Sequence, residues 1–209
     1  MPLSTHSNEA AKLYDAAISQ YVGWYDDANL GGLAGSLERM ISADPTFGKM
    51  NSNKRLLIIF TFNVVGGRAL SYGLQLTSTA ETTRIDKKLE QKINELAADS
   101  TTNKTLNYRE KKHVEAVVHW SKGELHKAAL SWEDVLLQYP TDMLALKMAS
   151  DTYFFLGKQE ELRDSVARVL PFWTSRAEPL KAYLHGLYAF GLVETNFYAQ
   201  AETEALKVQ

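Results

Sequence analysis

Cysteine is absent from the 209 residues, which excludes disulfides, thiol nucleophiles and cysteine-ligated zinc or iron–sulfur centres. A basic surplus is also missing. Lys and Arg number 23 against 25 Asp and Glu, for a net charge of -2 and an isoelectric point near 6.2. A general nucleic-acid binder needs the opposite balance, so no nucleic-acid partner is expected. No apolar run is long enough to span a bilayer. The most apolar stretch, Leu56-Leu57-Ile58-Ile59-Phe60-Thr61-Phe62 with Val64 and Val65 behind it, falls short of the ~20 residues a membrane helix needs. Met1 to Asn8 is polar, with no apolar core and no Arg-rich amphipathic pattern, so the expected location is cytoplasmic. Asn103-Lys104-Thr105 fits a glycosylation sequon, read here as coincidence because a sequon matters only in a secreted chain.

Catalytic signatures are missing too. The sequence has no GxxxxGK[ST] loop, HExxH helix or GxSxG elbow. Gly66-Gly67 followed by Gly73 has neither the spacing nor the downstream acid of a dinucleotide fingerprint, and reads as a packing feature. No cofactor is expected. His113 and His119 with Glu110 and Glu115 form the main His–carboxylate cluster. Glu110 and His113 stand three apart on one helix face, whereas His113 and His119 stand six apart and diverge. Glu160, Glu161 and Asp164, interleaved with Arg163 and Arg168, read as a solvated face at a helix start. Lys49, Lys54 and Arg55 read as a solvated basic loop.

What the chain has is helical periodicity. With 45% hydrophobic and 23% charged residues it has the content of an ordinary globular protein. Ala10, Leu13, Tyr14, Ala17, Ile18, Tyr21 and Val22 recur at helical spacing behind Ser7, a candidate N-cap. Leu33, Leu37, Met40 and Ile41 make a second stripe that stops before Asp44-Pro45. Ile85, Leu89, Ile93 and Leu96 make a third. Asn107 and Glu110 form a capping box that opens a fourth helix through Val114, Val117, Val118 and Trp120. Gly48 to Asn63 breaks the pattern, with a basic patch followed by a β-branched and aromatic run. It is expected to be an irregular insert.

A fixed period overlies these stripes. Gly123 and Gly157, Ala128 and Leu162, Trp132 and Val166, and Val135 and Val169 are each 34 residues apart. This spacing resembles the tetratricopeptide repeat, a 34-residue helix–turn–helix unit. The physical reasons are local. Gly123 can adopt the left-handed conformation between two helices. Ala128 allows a close helix crossing, Trp132 and Val135 fill the interface, and Pro140 ends the second helix before Thr141 or Asp142 caps the next. The expected fold is all-α, with stacked helix–turn–helix repeats in a right-handed superhelix (an α-solenoid). It is read as a single domain over 1–209: a degenerate helix pair at 8–47, the insert at 48–63, a second degenerate pair at 64–99, repeats at 109–142 and 143–176, and an incomplete repeat at 182–209. The last follows a five-residue slip over Ser175 to Pro179 and has Asn196 at its turn.

Wider segments extend the resemblance. Leu3-Ser4-Thr5 with Ser7-Asn8-Glu9-Ala10, Ala43 to Phe47, Tyr139 to Lys147, Arg163 to Arg168 and Glu194 to Tyr198 together resemble the tetratricopeptide repeat protein 38 family. The resemblance implies an all-helical repeat protein with no assigned enzyme activity. Members of that family lack a counterpart of Gly48 to Asn63 and continue for several more repeats, so this chain looks like a truncated form.

In tetratricopeptide proteins the first helix of each repeat lines a concave groove. Carried over residue by residue, that surface comprises Glu110, His113, Val117, Trp120, Lys147, Asp151, Phe154, Phe155, Tyr183 and Phe190. Trp132, Tyr153 and Phe197 fall at repeat-packing positions and are expected in the core. The groove aromatics suit a peptide-binding surface; the alternative is that inserts or further C-terminal helices fill the groove. The carboxylate-clamping subfamily needs Lys and Asn where this chain has His113 and Val117, and Lys147 is followed by Asp151. No chaperone-tail clamp is expected. The functional expectation is a non-catalytic scaffold for a protein or peptide segment. The alternatives are an enzyme or enzyme subunit using the His113 region, or a truncated chain with no independent activity. The oligomeric state is not legible. The repeat phase itself is testable: Trp132→Ala is expected to cost about 3–5 kcal/mol through the cavity it leaves, read as a lowered Tm.

Overall fold

The computed structural model describes residues 3–5, 7–44, 65–77, 84, 86–174 and 180–208. The Gly48 to Asn63 insert, its basic patch and Ile85 lie outside the described residues. Among the described residues the secondary structure is helical throughout, with ten α-helices and no strand. The chain divides into two compact units, Met1–Ser121 and Lys122–Gln209. The boundary falls in the turn of the predicted 109–142 repeat.

The first unit holds α1 (Asn8–Gly23), α2 (Gly32–Ala43), α3 (Val65–Thr77), α4 (Lys87–Thr102) and α5 (Tyr108–Ser121). Ser7 caps α1 as its sequence position predicts, accepting a 3.1 Å hydrogen bond from the Ala10 N–H. Asp86 caps α4 in the same way through Lys88 and Leu89. The stripe of α1 turns inward: Ala10, Leu13, Tyr14, Ala17, Ile18 and Val22 are buried, and α1 packs on α2. Gln20, also buried, donates to Ser36 of α2 at 2.7 Å and accepts from the Asp27 N–H at 2.8 Å. Those bonds fix the loop between the two helices. Helices α3, α4 and α5 pack on one another around Val65, Ala69, Leu76, Leu89, Ile93, Leu96, Leu106, Val114 and Val117.

The second unit holds α6 (Leu125–Gln138), α7 (Met143–Leu156), α8 (Gln159–Val169), α9 (Lys181–Glu194) and α10 (Tyr198–Ala205). Each helix packs against the next. Helices α7 and α9 start within a residue of the predicted repeat starts at 143 and 182, and the last turn after α10 is 3-10. Helix α6 stops two residues before Pro140, and Asp142 caps α7 by accepting from the Ala145 N–H at 3.0 Å. Gly157 and Asn196 both take positive φ, at 66° and 65°. Their turns share one hydrogen-bond pattern. Lys158 donates back to Tyr153 at 2.9 Å, and Phe197 donates back to Leu192 at 2.8 Å. Each closes the helix end with the six-residue bond of a Schellman turn. Asparagine tolerates this conformation better than other residues with a Cβ, so Asn196 does the work of the glycine it replaces.

The packing positions hold with one exception. Trp132 and Tyr153 are buried, as are Ala128, Val135, Ala149, Leu162, Val166 and Val169. Phe197, expected in the core, is 42% exposed and lies under the Arg163 guanidinium, 5.3 Å from its ring centroid. The irregular Pro171-Phe172-Trp173 segment has its own role. Trp173 is buried and donates its indole N–H to the Pro140 carbonyl at 3.1 Å, joining the end of α8 to the end of α6.

Gly191 marks a close crossing of α8 and α9. A Cβ there would lie 2.7 Å from the Arg163 Cα, which is backbone and cannot swing away. Gly186, on the same helix, has nothing within 4 Å of the equivalent position. The two substitutions are therefore expected to have opposite signs. Gly191→Ala should destabilise by about 1–3 kcal/mol through overpacking. Gly186→Ala should stabilise by roughly 0.5–1 kcal/mol through helix propensity. Thermal melts of both variants against the parent check the pair.

Candidate binding surface

The expected groove residues divide between the two units and differ in fate. In the first unit, Glu110, His113 and Val117 are buried. This corrects their expected place on an open face. Glu110 is consumed by its own helix start. Its N–H donates to the Asn107 side chain at 2.9 Å, while its Oε2 accepts from the Asn107 N–H at 3.2 Å. The predicted capping box is thus formed in both directions. Its Oε1 accepts two further bonds, from the Ser4 N–H at 2.9 Å and the Ser4 hydroxyl at 2.7 Å. Thr5 in turn donates to the buried Asp44 at the end of α2. Val117 is part of the unit core, and Trp120, partly buried, packs against that core. His119 lies 3.9 Å from Glu115, which also pairs with Lys112 at 3.0 Å. Among the described residues no three His, Asp or Glu side chains are arranged to hold a metal ion.

The second unit presents the surface. Helix α7 is apolar on nearly every side, and such a helix must be enclosed. Residues Met143 to Ser150 are buried, with Thr152 and Tyr153. Lys147 is enclosed with them and donates to both carboxylate oxygens of Asp151, at 2.5 and 2.6 Å. That cation is committed within the helix and points no charge at a ligand's carboxylate. The last turn of α7 then emerges. Phe154 and Phe155 are 56% and 51% exposed, and Phe190 of α9 is 41% exposed. Their rings touch. Phe154 stands edge-on to Phe155 with centroids 6.2 Å apart, and lies 5.8 Å from Phe190 at 50°. Tyr183, two turns before Phe190 on the same helix, is exposed as well.

Buried polar groups hold this surface in place from behind. The Tyr153 hydroxyl is hydrogen-bonded to Glu133 of α6, and Glu133 also pairs with Arg168 of α8. Burial, and then the Glu133 charge and hydrogen bond, push the Tyr153 hydroxyl well above its ordinary range. It therefore stays a neutral donor. On the far side, Glu204 of α10 lies 2.9 Å from the His185 ring of α9 and 2.7 Å from the Lys207 ammonium. Burial pushes its carboxyl up, but the hydrogen bonds from Lys207 and His185 outweigh burial and hold it below the usual carboxylate range.

The Glu133–Tyr153–Arg168 network and the Ser4–Glu110 bonds were not legible in the sequence, because they join residues 20 to 106 positions apart. The capping box gave a partial signal. A glutamate in that position is already engaged by its helix start and makes a poor groove residue. No family model matches the chain, and no solved structure matches it.

The Glu204 arrangement predicts a pH dependence with a definite sign. A carboxyl held low in the folded state stabilises above its unfolded pKa, and that contribution is lost as pH falls through the folded value. Glu204→Gln should therefore melt below the parent at pH 6. The gap should narrow as pH falls through the folded-state value, where the parent's Glu204 becomes protonated. Circular-dichroism melts of the two proteins across that range give the test.

Proposed function

We propose that the chain is a non-catalytic helical-repeat scaffold that holds a segment of a partner protein on the exposed first-helix face of its second unit. The observation that carries this reading is the cluster of Phe154, Phe155 and Phe190. Phe154 meets both Phe155 and Phe190, and all three side chains are exposed at the surface. Clustered aromatics on a rigid scaffold are the usual anchors of a protein interface. The repeated left-handed turns at Gly157 and Asn196 support a tetratricopeptide-like stacking of the pairs α7–α8 and α9–α10. Such stacking within the second unit is in keeping with the α-solenoid that the tetratricopeptide repeat protein 38 family resemblance implies.

The enzyme reading finds little to rest on. Glu110 is engaged by four hydrogen bonds through its carboxylate and backbone N–H, and His113 beside it is buried. Trp120 is a support of the first unit's core and serves as a stability control rather than an anchor.

Affinity capture with the full chain tests the proposal, first checking by circular dichroism that each variant is folded. Phe154→Ala and Phe190→Ala should each weaken capture of the same partner by about 30-fold, the loss that accompanies roughly 2 kcal/mol at an aromatic anchor. Partners retained at full strength by both variants would place binding elsewhere.

A further inference from the structure

The aromatic cluster does not stand alone on its face, and the charges beside it are unequal. Glu194 lies one turn after Phe190 on α9, about 6 Å further along the helix axis. It reaches the start of α8, where Gln159 donates to its carboxylate at 3.5 Å. Phe190 meets Phe154 at the end of α7, so Glu194 sits at the rim of the cluster, at the turn between α7 and α8. The cations around this rim are committed to other acids. Lys147 is bound by Asp151, Lys158 pairs with Glu161 at 3.3 Å, and Arg163 pairs with Asp164 at 2.7 Å. Among the described residues Glu194 has its hydrogen bond from Gln159 and no ion pair. The second unit as a whole carries twelve Asp and Glu against nine Lys and Arg, so no general cationic field offsets this local excess.

We infer that the Phe154–Phe155–Phe190 face takes a peptide segment that combines an apolar or aromatic side chain with a lysine or arginine, the cation being met by Glu194. The inference rests on the proposed scaffold reading and adds the chemistry of its partner. The apolar residue seats on the three rings, where burial supplies most of the affinity. The cation meets the Glu194 carboxylate at the rim, where the charge pair contributes less to affinity and more to the choice of partner. Geometry sets the spacing. An offset of about 6 Å corresponds to roughly two residues of extended chain, so the basic residue lies about two positions from the apolar anchor. An acidic segment would bring like charge against Glu194 and be disfavoured.

The test is selection of a phage-displayed random dodecapeptide library on the full chain, with the folded Phe154→Ala variant as the subtraction target. The expected result is enrichment of peptides carrying Phe, Leu, Ile or Trp with Lys or Arg about two residues away. Synthetic copies of these peptides should bind about 30-fold more weakly to Phe154→Ala. They should bind about two- to fivefold more weakly to Glu194→Gln, with that difference shrinking at high salt. Enriched peptides that are apolar but show no basic bias, or that bind Glu194→Gln unchanged, overturn the inference and leave the scaffold reading standing. Peptides that bind Phe154→Ala as well as the parent, or a failure to enrich any peptide, overturn both.

Discussion

A residue in a left-handed backbone at a helix end sets how the chain leaves that helix, and two hairpins of the second unit are closed in this way. Gly157 ends α7 and Asn196 ends α9, each with φ near 65° and each followed by the same back-bond to the helix. The turn fixes the register of the two helices it joins. Register then decides which residues meet: Ala149, Tyr153, Leu162 and Val166 are buried around the α7–α8 hairpin. The first unit uses the same device at less suitable chemistry. Trp24 closes α1 at φ 53°, and Tyr25 donates back to Gln20. A tryptophan in that conformation carries a steric cost that glycine avoids. It is held there by Gln20, which is buried and bonded on both sides of its amide.

Carboxylates do the tying that the hydrophobic periodicity does not specify. Glu110 joins the chain before α1 to the start of α5. Glu133 joins α6 to α7 and α8. Glu204 joins α10 to α9. Each is enclosed or nearly so, and each has several donors, which is the condition for tolerating a buried carboxylate. The best-placed acid of the His–carboxylate cluster of α5, Glu110, is one of those already engaged.

Local signals were legible where one residue type has one physical use. Ser7 and Asp142 cap their helices, Asn107 and Glu110 form the capping box, and Ala128 and Trp132 are buried where a 34-residue period puts them. The slip itself, over Ser175 to Pro179, lies outside the described residues, but the phase of the last hairpin was legible through Asn196, because the alternative phase would put Gly191 at the turn. Gly191 instead lies inside α9 against the backbone of Arg163. The candidate surface was half legible. Phe154, Phe155, Tyr183 and Phe190 are exposed, whereas Glu110, His113, Val117 and Lys147 are not. Periodicity tells which face a residue occupies, but not whether another segment covers that face. Ser4, ahead of α1, bonds the Glu110 carboxylate, and nothing in the spacing of α5 announces it. Phe197 failed for the converse reason. It occupies a packing position at the last hairpin, where the neighbour it meets is the side of an arginine rather than an apolar face.

The contrast within α7 sets the exposed aromatics apart from the rest of the helix. Through Tyr153 the helix is buried except at Asp151, which pairs with the buried Lys147. One residue later the enclosure stops and two phenylalanines face water. Helix propensity does not require phenylalanine at that place, since lysine, glutamate or glutamine would serve the last turn better and keep it solvated. Nor does the core require it, because Tyr153 already fills the interior position with a bonded hydroxyl. Three touching rings at the surface expose apolar area that folding does not bury. Single exposed apolar residues need no explanation; the contiguity of these three is what the proposed binding function rests on.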